Sequence, residues 1–202
     1  MLKNVNKKKI LAIIPARKGS KRLKNKNILR IQKKPLFAWT LDLAISCKLF
    51  TDIYVSTDSI QILKYAKKKN CICPALRKKK LSGSNITLNK VCVSILKYLK
   101  KIERSPDTIV LLQPTSPFRT KELIERGLKK FHSKINKNRN SLVSIARVSK
   151  HPLQSFKKDK IFMRPYLANN KVNLQSQNLN DVFAPTGSLY IADAKKFLKE
   201  KT

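Results

Sequence analysis

Acidic residues are scarce in this chain: 11 Asp and Glu stand against 46 Lys and Arg in 202 residues, a formal net charge of +35 at pH 7. Glycine (4), cysteine (4), histidine (2) and tryptophan (1) are also few. Each shortage excludes something. Cysteines at positions 47, 71, 73 and 92 with His132 and His151 do not make a zinc ligand set. Cys71-Ile72-Cys73 has the wrong spacing for a zinc knuckle, and no second cysteine pair follows. The four thiols are expected to be reduced, in or near the core of a cytosolic protein. No apolar run reaches membrane-spanning length. The start, MLKNVNKKKILAIIPA, has a basic leader, but its apolar centre is short, contains Pro15 and runs straight into Arg17. The expectation is a cytoplasmic protein with no membrane partner.

The cationic excess by itself would fit a nucleic-acid partner. The lysines, however, are spread over nearly every segment (positions 7–9, 67–69, 78–80 and 195–201) rather than gathered on one helix or tail. No nucleic-acid-binding motif is recognisable and aromatics are only 7%, too few for an obvious base-stacking platform. Nucleic acid is not the expected partner. The 42% apolar content is ordinary for a globular chain, and the length suits one domain with a real core.

Against this background one stretch stands out, ILAIIPARKGSKRLKNKN at residues 10–27. Its apolar start has the length and β-branched content of a buried strand, and Pro15, which lacks an N–H for a ladder, ends it. Six cations then fall between Arg17 and Lys26, around Gly19 and Ser20. A strand emptying into a basic, glycine-containing loop is a phosphate-binding arrangement, because backbone N–H groups and side-chain cations converge on one small volume.

Further along, Pro35 suits the first position of a helix running towards Phe50. Residues 52–58 read as a second strand, and Ser59 is placed to cap a helix through Lys69. Residues 71–74 read as a short third strand and 77–85 as a basic loop. A long helix follows with Val91, Ile95, Leu99 and Ile102 on one stripe. Residues 108–113 are almost continuously apolar, as in a strand covered on both faces, and two prolines forbid its continuation. A helix at 121–132, strands at 141–146 and 187–192, and a last helix capped by Asp193 complete the pattern. Alternating strands and helices argue for a mostly parallel sheet covered on both faces, an α/β three-layer sandwich. Ligands of such sheets sit beyond the carboxyl ends of the strands, which places the 17–27 loop, Asp58, Arg77 and Gln113 along one edge. The polar segment 148–183 reads as an inserted arm, a small β excursion suited to dimer contact, with the core formed by about 9–147 and 184–202.

Four stretches then resemble the acylneuraminate cytidylyltransferase family, which makes CMP-activated nonulosonic acids. They are Ile13-Ile14-Pro15-Ala16-Arg17-Lys18-Gly19-Ser20-Lys21 with Lys26-Asn27, Tyr54-Val55-Ser56-Thr57-Asp58-Ser59, Leu111-Leu112-Gln113-Pro114-Thr115-Ser116-Pro117, and Gly187-Ser188-Leu189-Tyr190-Ile191. They occur in the family's order and roughly its spacing. The resemblance implies a Rossmann-like nucleotidyltransferase fold, CTP as donor substrate, magnesium as cofactor and a homodimer. It puts the catalytic phosphate-binding cations on Arg17 and Lys26. It implies nucleotide contacts at Gly19, Ser20, Lys21, Asn27 and Arg77, and sugar contacts at Gln113, Phe183 and Tyr190; it assigns no metal ligand here.

The chain departs from the family pattern in three places. A basic Arg77-Lys78-Lys79-Lys80-Leu81 replaces a partly acidic loop, Thr186-Gly187-Ser188 replaces Asn-Gly-Ala, and Ser176-Gln177-Asn178 stands where the family has an arginine for the acceptor's carboxylate. The family's acidic Asp-Ile-Asp strand is expected beyond Thr202, so the C-terminal end reads as truncated relative to the family. Beside the reading as a cytidylyltransferase stand two others: a truncated or degenerate relative that binds nucleotide or a partner subunit without catalysis, and a basic nucleic-acid-binding protein.

Overall fold

The computed structural model describes residues 8–20, 23–133, 140–167 and 175–200. Strand β1 (Ile10–Pro15) is buried along its length and pairs in parallel with β4 (Asp52–Ser56) on one side and β5 (Thr108–Leu111) on the other. A two-stranded ribbon, β2 (Arg30–Ile31) and β3 (Lys34–Pro35), intervenes in the chain before the first helix. The sheet continues through β9 (Phe183–Asp193) to β6 (Ser141–Arg147), in the order β4-β1-β5-β9-β6. Of these, β9 runs antiparallel to β5, with Thr108 opposite Asp193 and Leu111 opposite Tyr190.

The period-two geometry of β1 divides the core. Ala12 and Ile14 join one apolar cluster, Leu11 and Ile13 the other. The first is closed by α1 (Leu36–Cys47), α2 (Ile60–Lys68) and α5 (Lys121–His132), through Phe37, Leu41, Ile62, Ile124 and Leu128. The second is closed by α4 (Leu88–Lys101) and α6 (Ala194–Glu200), through Val91, Ile95, Leu99 and Ala194. Helices on both faces of a mostly parallel sheet make an α/β three-layer sandwich, the fold class expected from the sequence. Close packing reaches Gly127 of α5, where a Cβ would come within 2.5 Å of the Leu189 side chain on β9. The four cysteines are free, and burial pushes the Cys92 thiol up to about 12 and that of Cys71 to about 11.

Local differences from the sequence reading have identifiable causes. The expected strand at 71–74 is a single bridge of Ile72 to Tyr54, too short to extend the sheet before Pro74. The basic loop contains a one-turn helix, α3 (Lys79–Ser82). Pro35 is the N-cap of α1 rather than its first residue, and α1 stops at Cys47, where Lys48 turns left-handed. Ser59 sits at the N-cap of α2 without a side-chain capping bond, and its own N–H is bound to Thr57 Oγ1. Ile102 falls off the apolar stripe of α4 and is 41% exposed. The last strand, β9, is longer than read, starting at Phe183.

Residues Ile145–Thr186 form a second compact unit. Its centre is the antiparallel hairpin β7 (Phe156–Asp159) and β8 (Phe162–Pro165), and a bond from Val148 N–H to Val182 C=O joins the two ends of the segment.

The ends of β1 and β4 are tied by one hydroxyl. Thr57, fully buried, donates from Oγ1 to Ala16 C=O at 2.6 Å and accepts the Ser59 N–H at 3.0 Å. Ala16 N–H in turn donates to Ser56 C=O at 2.9 Å. Thr57→Val keeps the shape but orphans a carbonyl and an N–H, and should lower the unfolding free energy by about 1–3 kcal/mol in urea denaturation. Thr57→Ser should lose less; a larger loss in Thr57→Ser than in Thr57→Val would mean that methyl packing, not the hydroxyl, matters at this position.

Candidate functional site

Beyond the carboxyl ends of β1, β4 and β5 lies a cavity of about 200 Å³. Its floor comes from the loop after β1. Pro15, Arg17, Gly19 and Ser20 line it, followed by Lys26 and Asn27 from the 3-10 turn Lys26–Ile28. Asn25, in left-handed conformation (φ 56°), reverses the chain into that turn. Asn27 is buried to 7% exposure, and its Nδ2 donates to the carbonyl of Arg17 at 2.8 Å, closing the loop on itself. A Cβ on Gly19 would meet nothing within 4 Å, so the glycine leaves backbone uncovered where a ligand can approach. Lys21, the remaining residue expected in this loop, lies outside the described residues.

The opposite wall carries Arg77, with Leu81 and Gly83 from α3 and its end. The Arg77 guanidinium donates from Nε to Ser56 Oγ at 2.9 Å and from Nη2 to Ser56 C=O, so the end of β4 orients it. Burial pulls its pKa below the ordinary value; the Asp58 charge opposes that shift and the nearby Arg17 charge adds to it. Arg17 reaches across to α3, its Nη1 donating to Ser82 C=O at 3.3 Å and Gly83 C=O at 3.2 Å. The third wall is the turn after β5, with Gln113, Pro114 and Thr115. Arg17, Lys26 and Arg77 thus face one small volume whose lining includes no carboxylate. That is a site for a polyanion.

Asp58, the carboxylate placed on this edge by the strand-end rule, accepts the Lys18 N–H at 2.5 Å and holds the loop instead of lining the cavity. Among the described residues no group of three or more His, Cys, Asp or Glu could hold a metal ion. The cavity brings together Arg17, Gly19, Ser20, Lys26, Asn27, Arg77 and Gln113. It does not include the two aromatic positions. Tyr190 sits half-buried on β9, opposite Leu111, and Phe183 is exposed and belongs to the second unit.

One buried cation escaped the sequence reading. Arg119 is 6% exposed while its neighbour Phe118 is 89% exposed, the reverse of what hydropathy dictates. Its guanidinium donates from Nη2 to Gln113 C=O at 2.8 Å, from Nη1 to Thr40 Oγ1 at 3.3 Å, and from Nε to Ser188 C=O. Burial lowers its pKa to about 10, so it remains charged at neutral pH. In a chain with so many cations only its place directly after the proline-rich turn marked it.

Comparison with known proteins agrees with this geometry. The family model described as cytidylyltransferase matches residues 11–192. The CMP-N,N'-diacetyllegionaminic acid synthase of Legionella pneumophila is 34% identical over 96% of this chain and 82% of its own length. The pseudaminic acid cytidylyltransferase of Campylobacter jejuni is 27% identical over 95% and 82%, and the N-acylneuraminate cytidylyltransferase of Escherichia coli 30% identical over 96% and 44%. In fold, a CMP:2-keto-3-deoxy-manno-octonic acid synthetase solved with CTP superposes with TM-score 0.65 at 16% identity, covering 95% of this chain and 77% of that one. The 4-diphosphocytidyl-2C-methyl-D-erythritol synthase of Anaerococcus prevotii gives 0.60 at 16%, covering 98% and 75%. With its α/β nucleotidyltransferase architecture and a match along nearly its whole length, the chain belongs to the cytidylyltransferase family, as its four motifs implied.

Proposed function

We propose that this protein is an enzyme that transfers CMP from CTP to a nonulosonic, sialic-acid-like sugar acid and releases pyrophosphate. The observation that carries the reading is the cavity in which Arg17, Lys26 and Arg77 converge without a carboxylate, in a chain that matches a CMP-nonulosonic acid synthase over 96% of its length. The triphosphate takes the basic side, against the loop backbone at Gly19 and Ser20, with Asn27 holding the loop and Arg77 on the nucleotide side. The anomeric hydroxyl of the acceptor attacks the α-phosphorus, the bond to the β-phosphate breaks, and the electron pair leaves with pyrophosphate. Negative charge grows on that leaving group, and Arg17 and Lys26 neutralise it; such positioned cations contribute more to nucleotidyl transfer than covalent help does. Gln113, at the end of β5, is set for the acceptor sugar. Tyr190 and Phe183 are proposed for the same sugar on the strength of the motif alone.

Magnesium, the expected cofactor, neutralises phosphate charge when bound. The described residues do not form a cage for it: the cavity lining has no carboxylate and Asp58 is engaged with Lys18. Magnesium favours phosphate oxygens and water, so in this reading it arrives with CTP and no step is assigned to a protein-held ion. The reading places the enzyme in the cytoplasm, where CTP is made; among the described residues no helix is long and apolar enough to cross a membrane.

Pyrophosphate release, assayed with CTP, magnesium and a panel of nonulosonic acids, should show turnover with at least one acceptor. Arg17→Ala should lower kcat/KM by roughly 10²–10³-fold, the scale of losing one preorganised charge-stabilising group. No turnover across the panel, with CTP binding retained and weakened by Arg17→Ala, would replace the enzyme by a nucleotide-binding relative without catalysis.

The protein is further proposed to act as a homodimer through its second unit. The hairpin there exposes Ile161 (87%), Phe162 (70%) and Met163 (61%), an apolar surface of the kind that marks an interface. Sedimentation should give a dimer for the wild-type chain and a monomer for the Ile161→Asp, Phe162→Asp double variant. A wild-type monomer would remove this part of the reading.

A further inference from the structure

We infer that Arg119 is a positioning residue of the site, a clamp that continues the β5–β9 ladder where its own hydrogen bonds have stopped. The register runs from Thr108 opposite Asp193 to Leu111 opposite Tyr190. Carried two residues further, it sets Gln113 opposite Ser188. At that level the ladder cannot continue, because Pro114 has no N–H and turns the chain away. The carbonyls of Gln113 and Ser188 are both bound by one guanidinium, through Nη2 and Nε of Arg119. The same group reaches α1 through Thr40 Oγ1.

The clamp also folds the turn after β5 onto itself. Gln113 C=O accepts the Ser116 N–H at 3.2 Å as well as Arg119 Nη2, and Arg119 N–H donates to Ser116 C=O at 3.3 Å. That turn carries Gln113, Pro114 and Thr115, one wall of the cavity. On the other strand, Ser188 lies two residues before Tyr190. One side chain therefore ties the end of β5 to the middle of β9, the two strands that bear the proposed acceptor-side residues Gln113 and Tyr190. This three-way tie accounts for a nearly buried cation with no carboxylate among its described hydrogen-bond partners. Three oxygen acceptors on three elements need a planar fork, which lysine does not provide.

The consequence for catalysis rests on the proposed cytidylyl transfer; the clamp itself does not. Arg119→Lys keeps the charge and loses the fork, and Arg119→Met loses both. Thr40→Val removes only the link to α1. Each variant is compared with the full wild-type chain by thermal unfolding, CTP calorimetry, steady-state kinetics with whichever nonulosonic acid the wild type turns over best, and amide hydrogen exchange. In Arg119→Lys, CTP affinity should stay within about threefold of wild type, while kcat/KM for the acceptor falls about tenfold or more. Exchange at the Ser116 and Leu189 amides should quicken about tenfold or more, with the Ala16 amide unchanged. Thr40→Val should lower the thermal midpoint without the acceptor effect.

An Arg119→Lys protein with a lower thermal midpoint, wild-type kinetics and no selective exchange would overturn the inference and leave Arg119 a plain packing residue. If the wild type turns over no nonulosonic acid, the functional reading fails separately and exchange alone decides. Selective quickening at Ser116 and Leu189 then keeps the clamp, and uniform or absent quickening removes it. Should Arg119→Met not fold, Arg119→Lys carries the comparison.

Discussion

The side chain of Thr57 joins two parallel strand ends, and the geometry of the candidate site hangs on that junction. Its hydroxyl bonds the Ala16 carbonyl at the exit of β1 and receives the Ser59 N–H at the start of α2. Everything that follows β1 leaves from this fixed point. Asp58, the next residue after Thr57, catches the Lys18 N–H, and Asn27 catches the Arg17 carbonyl ten residues along the loop. From the same strand end Ser56 orients the Arg77 guanidinium. A basic loop with so much like charge would otherwise have little reason to stay folded; neutral and acidic groups hold its backbone, and Arg17 and Lys26 line the cavity.

That division of labour shapes the electrostatics. The groups that could have cancelled the charge are used as structural acceptors: Asp58 for a backbone N–H, and the Ser82 and Gly83 carbonyls for Arg17. The Arg17 charge disfavours that of Arg77, and the Asp58 charge opposes this. On the proposed function, a triphosphate entering the cavity would relieve the repulsion and give Arg17 stronger acceptors than two peptide carbonyls. The proposed nucleotide binding would in this sense be prepared by the unliganded fold.

How much of this was legible beforehand follows from what kind of signal each part leaves. The central strands and α5 were legible because their burial on one or both faces forces apolar runs or a helical period. The basic side of the cavity was legible because cations, a glycine and an asparagine recur there at set spacing after a strand. Fine structure was not. The bridge at Ile72 and the turn of α3 depend on tertiary contacts with β4 and Arg17, which leave no periodicity. Arg119 was hidden for a sharper reason: hydropathy would expose the arginine and bury Phe118, and the fold does the opposite because the guanidinium binds three oxygens, from the turn after β5, β9 and α1. Asp58 was placed on the correct edge with its partner unspecified, since only coordinates show whether a strand-end carboxylate faces ligand or loop.

The central claim is that the loop of residues 17–27 and Arg77 hold the triphosphate and nucleotide of CTP. A crystal structure of the protein grown with CTP and magnesium tests it most directly. The account predicts phosphate oxygens against the Gly19 and Ser20 backbone and within hydrogen-bond reach of Arg17 and Lys26, with Arg17 released from the Ser82 and Gly83 carbonyls. CTP bound elsewhere, with Arg17 still on those carbonyls and the cavity holding only water, would contradict it.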